Sequence, residues 1–430
     1  MDMTRIRSLP LPSLVQTLLL MWNRPWLRER LRRYGDIVRL KVNNGGGLSA
    51  KPFVMVNRPE HVQQIFSGSP SVLYAGVTNS LVKPILGEKS LLLLDDVDHA
   101  RAKRLLLPAF TAAALRGYEP MVRGLAKEEL ERWRPHVVFR SFDRMQALTL
   151  EVILQVVFGV ADPARLTRLR ELVPRISEVG PLVFLSITLE SLQKIPPWSR
   201  FLSMRDEVYG LLDAEIAERR ACGDAAERRD VLSRLVLAQD GDDRLSDAEL
   251  RSQLLTLLLA GHETTATAMA WTLHELARNE LIQHQARTGT DEYRQAVLKE
   301  VMRLRPITTA VARHLTEPME LAGHRVPAGH GVAASMALAH SDPRNYPDPD
   351  RFRPDRFLSG EVMPNTWFPF GGGARRCIGA GFSLMEATAI LGEILASYEI
   401  HPGTSSPERG KPRNVVTGPH RGALIMVQPV

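Results

Sequence analysis

The stretch Phe370-Gly371-Gly372-Gly373-Ala374-Arg375-Arg376-Cys377-Ile378-Gly379 sets one cysteine among four glycines and two arginines, directly ahead of a helical pattern. A cysteine that ligates a metal must be deprotonated, so its backbone has to turn tightly about the sulfur and offer N–H groups to it. Gly371, Gly372, Gly373 and Gly379 allow that close approach. From Ala380 to Ser397 the chain carries no proline and repeats apolar residues at Leu384, Ala387, Ile390, Leu391 and Ile394. That spacing predicts a helix whose positive N-terminal end lies beside the sulfur. Arg375 and Arg376 add positive charge suited to an anionic cofactor. The competing reading is an inert cysteine in a glycine-rich turn, the ordinary fate of a lone cysteine. This stretch alone leaves both open.

Composition bounds the rest. At 430 residues the chain exceeds the roughly 250–300 that one core normally reaches, so a large domain with a smaller lobe, or two domains, is expected. Its only cysteines are Cys222 and Cys377, too few for a disulfide framework or a multi-cysteine metal site. A reducing, cytoplasmic setting follows, and Cys222, at a polar helix end, receives no role. The net charge is +7, with arginines interleaved among acids along 205–234 as on solvated helix faces, which disfavours nucleic-acid binding. The apolar run 9–22 contains Pro10, Pro12, Gln16 and Thr17 and is shorter than the ~20 residues a membrane span needs. No membrane span is expected, and contact with a membrane is at most peripheral.

Along the chain, Val38, Leu40 and Val42 alternate before a turn at 43–47 and a second strand at 53–56, which reads as a hairpin. A loop-rich region fills 67–91. Residues 98–110 place His99, Arg101, Lys103 and Arg104 on adjoining helical faces. Helical patterns then follow at 121–133, 145–158, 165–176, 204–220 and 231–239, separated by an apolar, proline-broken segment at 180–201. A long helix is predicted over 245–279, started by a Ser246/Glu249 capping box. Its middle, Ala260-Gly261-His262-Glu263-Thr264-Thr265, interrupts an apolar surface with polar groups, which is costly unless they have partners or work. Glu300 and Arg303 lie one turn apart on a helix over 291–304, and Arg353-Pro354-Asp355-Arg356-Phe357 follows. The strand-like segments 415–417 and 423–427 read as a closing hairpin.

Taken together these runs resemble the cytochrome P-450 superfamily, specifically its soluble, bacterial-type haem-thiolate members. Phe370, Gly373, Arg375, Cys377 and Gly379 fill that family's ligand-loop pattern, and the other motifs follow in the family's order. The resemblance implies a mainly α fold with a minor β lobe and a long central helix over haem. It implies one domain spanning 1–430, with the β-rich lobe at about 35–60 and 307–335. Haem b would be the cofactor, with Cys377 as the proximal thiolate on its iron and Phe370, Gly371 and Gly379 beside it. Ala260 and Gly261 would let the central helix approach the haem, while Thr264 and Glu263 would open a kink and deliver protons. His99, Lys103, Arg313 and Arg375 would meet the propionates. Lys103 stands where arginine is usual, and lysine acts as a point charge without a bidentate clamp. Arg356 would complete a structural network with Glu300 and Arg303, Asp355 replacing the more frequent glutamate. The 180–201 segment would form a lid. His340 would sit at the haem edge or be a satisfied loop histidine.

The implied activity is that of a monooxygenase, an oxidoreductase that activates O2 and inserts one oxygen atom into an apolar small molecule by hydroxylation or epoxidation. Electrons would come from a separate ferredoxin or flavodoxin with its reductase, docking near Arg376. Two alternatives stand beside it. One is a haem-thiolate enzyme of another type, such as a peroxygenase, dehydratase or oxidative coupling catalyst. The other is a haem-binding sensor or carrier without turnover.

Overall fold

A computed structural model describes residues 3–22, 24–42, 51–159, 162–177, 194–413 and 416–430. The expected hairpin is present: Ile37–Val42 pairs antiparallel with Lys51–Val56, in a register that sets Leu40 opposite Phe53. Its turn lies outside the described residues. Val38, Leu40 and Met55 are buried on one face of the pair and Val54 and Val56 on the other, so both faces of the hairpin meet core. Gly331–Ser335 adds in parallel beside Lys51–Val56, and Ala310–Leu315 then pairs antiparallel with Gly331–Ser335. Leu73–Tyr74 closes that edge. A minor five-stranded sheet thus gathers strands from both halves of the chain, and the rest is mostly helical.

The helix Asp247–Leu276 is the axis of the helical part. Its N-terminus carries the expected reciprocal cap, with Ser246 Oγ accepting from the Glu249 N–H and the Glu249 carboxylate accepting from the Ser246 N–H. At 1.5 Å per residue its 30 residues span about 45 Å. It packs along Ser141–Phe158 and meets Ala380–Ser397. Asp291–Leu304 and Ala380–Ser397 have the bounds read from sequence, because caps and apolar periodicity are local signals.

Two expectations change. The helix expected over 121–133 is Ala112–Leu130, capped by Thr111 Oγ1 accepting from the Ala114 N–H, and it carries Pro120 in its interior. Gly117 and Pro120 suggest a break, but burial of Ala114, Tyr118 and Val122 at intervals of four holds the extra turns in place. The C-terminal strands do not pair with each other. Val416–Pro419 pairs with Gly410–Arg413, and Leu424–Pro429 pairs with Tyr398–Pro402. Gly422 and Ala423 both take positive φ, turning the chain out of one sheet and into the other. The segment expected to form a lid falls largely outside the described residues.

Candidate active site

The loop before Ala380–Ser397 is shaped by two contacts that only glycine permits. Gly373 has φ of 64°, and a Cβ there would stand 1.9 Å from the Phe66 carbonyl oxygen. Gly372 has extended backbone but lies against the Phe66 ring, 2.3 Å from where its Cβ would be. The loop folds back so that Cys377 N–H donates to the Phe370 carbonyl at 2.9 Å. Phe370 is itself held edge-on by Trp367, with ring centroids 6.1 Å apart. Gly371 faces Val311 on the sheet strand, 3.7 Å from its would-be Cβ.

Cys377 is open to solvent-sized contact, yet burial is what pushes its thiol above the ordinary cysteine range. An exposed group that is nonetheless desolvated faces an internal space and not the outer surface. The Gly379 N–H, Lys103 and Arg376 act the other way and favour the thiolate. The helix that begins at Ala380 adds its positive end.

The opposite wall shows the same signature. Ala260 is exposed, with Leu257, Leu259, Gly261, Glu263 and Thr264 only partly covered, in a helix that is buried at 252–256 before them and at 265–276 after them. Thr265 Oγ1 lies 3.1 Å from Ser383 Oγ, which joins this turn to the first turn of Ala380–Ser397, six residues past the cysteine. The helix is continuous through 260–265, so the expected kink is not expressed as a break. Thr264 Oγ1 donates to the Ala260 carbonyl at 2.6 Å, holding the hydroxyl on its own turn. His262 points away from Ala260, its Nε2 3.1 Å from the Gln146 carbonyl, and burial lowers its pKa to about 4.

Gly261 also meets a packing need that its sequence context does not reveal. A Cβ on it would stand 2.8 Å from Ile153 Cδ1, on the neighbouring helix Ser141–Phe158. Its missing side chain serves that crossing, which Thr149 Oγ1 also ties by donating to the His262 carbonyl at 3.0 Å.

The four expected propionate partners divide in two. His99 and Arg313 are buried, and among the described residues no carboxylate lies within ion-pair distance of Arg313. Its one hydrogen bond shown runs from Nη1 to the Ala312 carbonyl, 2.8 Å away. Desolvation lowers Arg313 to about 10 and His99 to about 3, with Arg375 pushing both further down. A buried guanidinium and a buried neutral imidazole, with so little negative charge about them, suit an anionic ligand.

Arg375 and Lys103 are already engaged. Arg375 donates to the Leu91 carbonyl at 3.3 Å, to the Leu94 carbonyl and to the Asp95 carboxylate. Lys103 Nζ donates to the carbonyls of Ala374 at 2.6 Å and Arg376 at 3.2 Å, so it braces the cysteine loop. Arg101 and Arg104 turn outward to Asp243, Glu249 and Asp240.

A profile of the cytochrome P-450 family matches residues 9–426. The chain belongs to the cytochrome P-450 family. A Mycobacterium tuberculosis protein named cytochrome P-450 135A1 is 44% identical over 426 residues, covering 97% of this chain and 94% of its own. Another named cytochrome P-450 135B1, from Mycobacterium bovis, is 41% identical over 408 residues, covering 92% and 85%. The solved structure of a cyanobacterial P-450, CYP120A1 with retinoic acid bound, shares the fold with a TM-score of 0.84 at 21% identity, each chain covered to 99%. As a P-450 the chain is a haem-thiolate monooxygenase using haem b, O2, an organic substrate and a redox partner. The donor set fits that cofactor: an open sulfur backed by an N–H, and an uncompensated Arg313 for an anionic edge.

The P-450's structural network is present. Arg303 donates Nε to Glu300 Oε2 at 2.7 Å and Nη2 to Oε1 at 2.9 Å, and Arg356 Nε donates to Oε1 at 3.1 Å. All three residues are at most 1% exposed, and both guanidinium groups lie over the Tyr346 ring. Arg303 Nη1 also reaches the carbonyls of His340 and Pro349, so the network pins the 340–356 segment to Asp291–Leu304. His340 is held through one ring nitrogen: its Nε2 accepts from the Phe368 N–H at 3.3 Å, its buried Nδ1 has no hydrogen-bond partner among the described residues, and burial lowers its pKa to about 3.

Three features escaped the sequence reading. Asp95 caps nothing locally but gathers the Ala75 and Gly76 N–H groups and Arg375 on one carboxylate. Gln253 and Thr256 fasten the 89–91 loop to the central helix. Glu386, wholly buried beside Thr265, has its pKa raised well above the usual carboxylate range by burial. The one signal available was a glutamate at a core position of an apolar helix.

Proposed function

We propose that the chain is a single-domain, cytoplasmic P-450 that hydroxylates or epoxidises an apolar small molecule, drawing electrons from a separate ferredoxin or flavodoxin and its reductase. The observation that carries this reading is the paired opening in the core. Cys377 is exposed in the loop that leads into one core helix and Ala260 is exposed midway along another, and the two helices meet at Ser383 and Thr265. In this proposal Cys377 ligates the haem iron, and Phe370, Gly371, Gly379 and Ala260 line the cofactor. The bound haem supplies the oxygen-activating redox chemistry.

The protein's own residues then have separable tasks. Gly379 N–H, Lys103 and Arg376 keep the sulfur anionic. Arg313 and His99 meet the propionates. Arg375 joins the cysteine loop to the 91–95 segment and reaches a propionate only by sharing with Asp95. Thr264 holds a hydroxyl on the open turn and Glu263 provides an acid one residue before it, together delivering protons. The partly covered Leu257, Leu259, Ile307, Thr308, Ala310 and Val311 make the substrate side apolar.

The test is the absorption spectrum of the reduced, carbon-monoxide-bound protein. Wild type is expected to show the thiolate-specific red-shifted band and Cys377→Ala to lose it; a wild type without that band refutes the assignment. Turnover supported by ferredoxin, reductase and O2, and abolished when peroxide replaces them, separates a monooxygenase from a peroxygenase. Absence of turnover with either leaves the carrier reading in force.

A further inference from the structure

We propose that the N-terminal helical pair, Ser13–Trp22 and Arg24–Arg32, docks the protein on an anionic lipid surface. The inference stands apart from the haem site. It begins with where the charge lies. Residues 1–42 hold nine basic and three acidic side chains, so a tenth of the sequence carries +6 of the net +7.

The described acids of that segment are already neutralised. Glu29 pairs with Arg28 at 3.5 Å and Arg32 at 3.2 Å, and Asp36 pairs with Arg344. Arg5, Arg7, Arg30 and Arg33 are exposed, and among the described residues none of them has a carboxylate within 4.0 Å. The positive charge is therefore available to a partner.

Beside it lies exposed apolar surface. Ser13–Trp22 has no charged residue. Gln16 pins this helix to the first sheet strand: its Nε2 donates to the Leu9 and Leu11 carbonyls, and its Oε1 accepts from the Lys41 N–H at 2.9 Å. Leu19 and Leu20 pack inward against Leu27, Leu31 and Leu40. That attachment leaves Leu14 60% and Val15 38% exposed, with Leu18 partly so, on one side of the helix. On the second helix Trp26 is 39% exposed, with the Arg30 guanidinium 5.3 Å from its ring centre.

An exposed leucine and valine on one helix and an exposed tryptophan on the next, in a segment rich in arginine and poor in acids, suit a surface where apolar side chains enter the acyl boundary and cations lie among headgroups. An acidic protein would satisfy the arginines but not call for Leu14 and Val15 to be bare. No described helix here crosses the bilayer: the one that is long and apolar enough, Ala380–Ser397, is mostly buried. The contact is peripheral.

The experiment is flotation of the full-length, haem-loaded protein with vesicles of phosphatidylglycerol and phosphatidylcholine, or of phosphatidylcholine alone. Wild type is expected to bind the anionic vesicles at least about tenfold better, with binding that falls as salt is added. Leu14→Glu/Val15→Glu and Arg30→Glu/Arg33→Glu are each expected to lose most of that binding. Leu14→Ser/Val15→Ser loses part, and it keeps the test usable if the glutamates impair folding, which the carbon-monoxide spectrum checks. Arg116→Glu/Arg134→Glu, a matched change of charge on another face, leaves binding intact. Equal binding to both vesicle types overturns the proposal, as does an equal loss in the Arg116/Arg134 variant. Binding that depends on Arg30 and Arg33 but is indifferent to Leu14 and Val15 also overturns it, and points instead to an acidic protein.

Discussion

Gly261→Ala tests whether this glycine answers to the neighbouring helix or to the haem. The added Cβ would lie 2.8 Å from Ile153 Cδ1 and 3.2 Å from its Cγ1, inside the ~3.5–4.0 Å of normal carbon contacts. Overpacking of this kind costs about 1–3 kcal/mol. Alanine gains about 1 kcal/mol over glycine in a helix interior, so the net loss is about 0–2 kcal/mol. Ile153→Val removes the closer of the two atoms and alone costs about 0.5–1.5 kcal/mol. In the double variant the helix gain remains while most of the clash disappears. The pair is therefore expected to be about 1 kcal/mol more stable than the sum of the single effects. Equilibrium urea unfolding of the haem-loaded protein, followed by far-ultraviolet circular dichroism, measures all four corners of the cycle. Additivity within about 0.5 kcal/mol would falsify the helix-crossing explanation. So would a change in the haem absorption band of Gly261→Ala that Ile153→Val fails to reverse.

Three further outcomes follow from the site. Arg313→Ala removes the buried cation without a carboxylate partner, at about 1.5–3 kcal/mol for a charge-assisted bond, so haem transfer to apomyoglobin should quicken by roughly 10–100-fold; an unchanged transfer rate removes Arg313 from the propionate role. Glu300→Gln leaves Arg303 and Arg356 buried against a neutral partner and should destabilise the fold by about 3–5 kcal/mol, read as a fall in the urea midpoint; a loss under 1 kcal/mol on the scale of a surface pair would show that the network is not needed. Glu386 is favoured protonated in the folded chain and ionises more readily unfolded, so its contribution is fully present below the ordinary glutamate pKa and is lost as pH rises through the raised folded value. Glu386→Gln should therefore flatten the decline in stability on the alkaline side, and thermal melts across pH that superimpose for the two proteins would refute the buried, neutral carboxyl.

Much of the site was legible because its constraints are local. A cysteine loop needs glycines at fixed offsets, and a helix must follow it, so both could be read along the chain. The Glu300–Arg303–Arg356 network was accessible for a related reason: two of its members are one helical turn apart, and the third stands in a recognisable run. The partners of Arg375 were not legible. Its guanidinium meets Asp95, nearly three hundred residues earlier in the chain, and a carboxylate at that separation carries no mark of its destination.

The sequence by itself determined that the glycine-rich loop at Cys377 resembles a haem-thiolate loop, that a capped helix from Ser246 carries an acid and a hydroxyl through the core, and that helices dominate over a small sheet. Tertiary structure alone decided what each glycine is for, which cations remain unpaired and which strands meet. Gly261 and Gly373 are both glycines in signature motifs, yet one makes room for Ile153 and the other for the Phe66 carbonyl. Periodicity and motif spacing record a residue's place on its own element. The atom it faces belongs to another element, and only packing brings the two together.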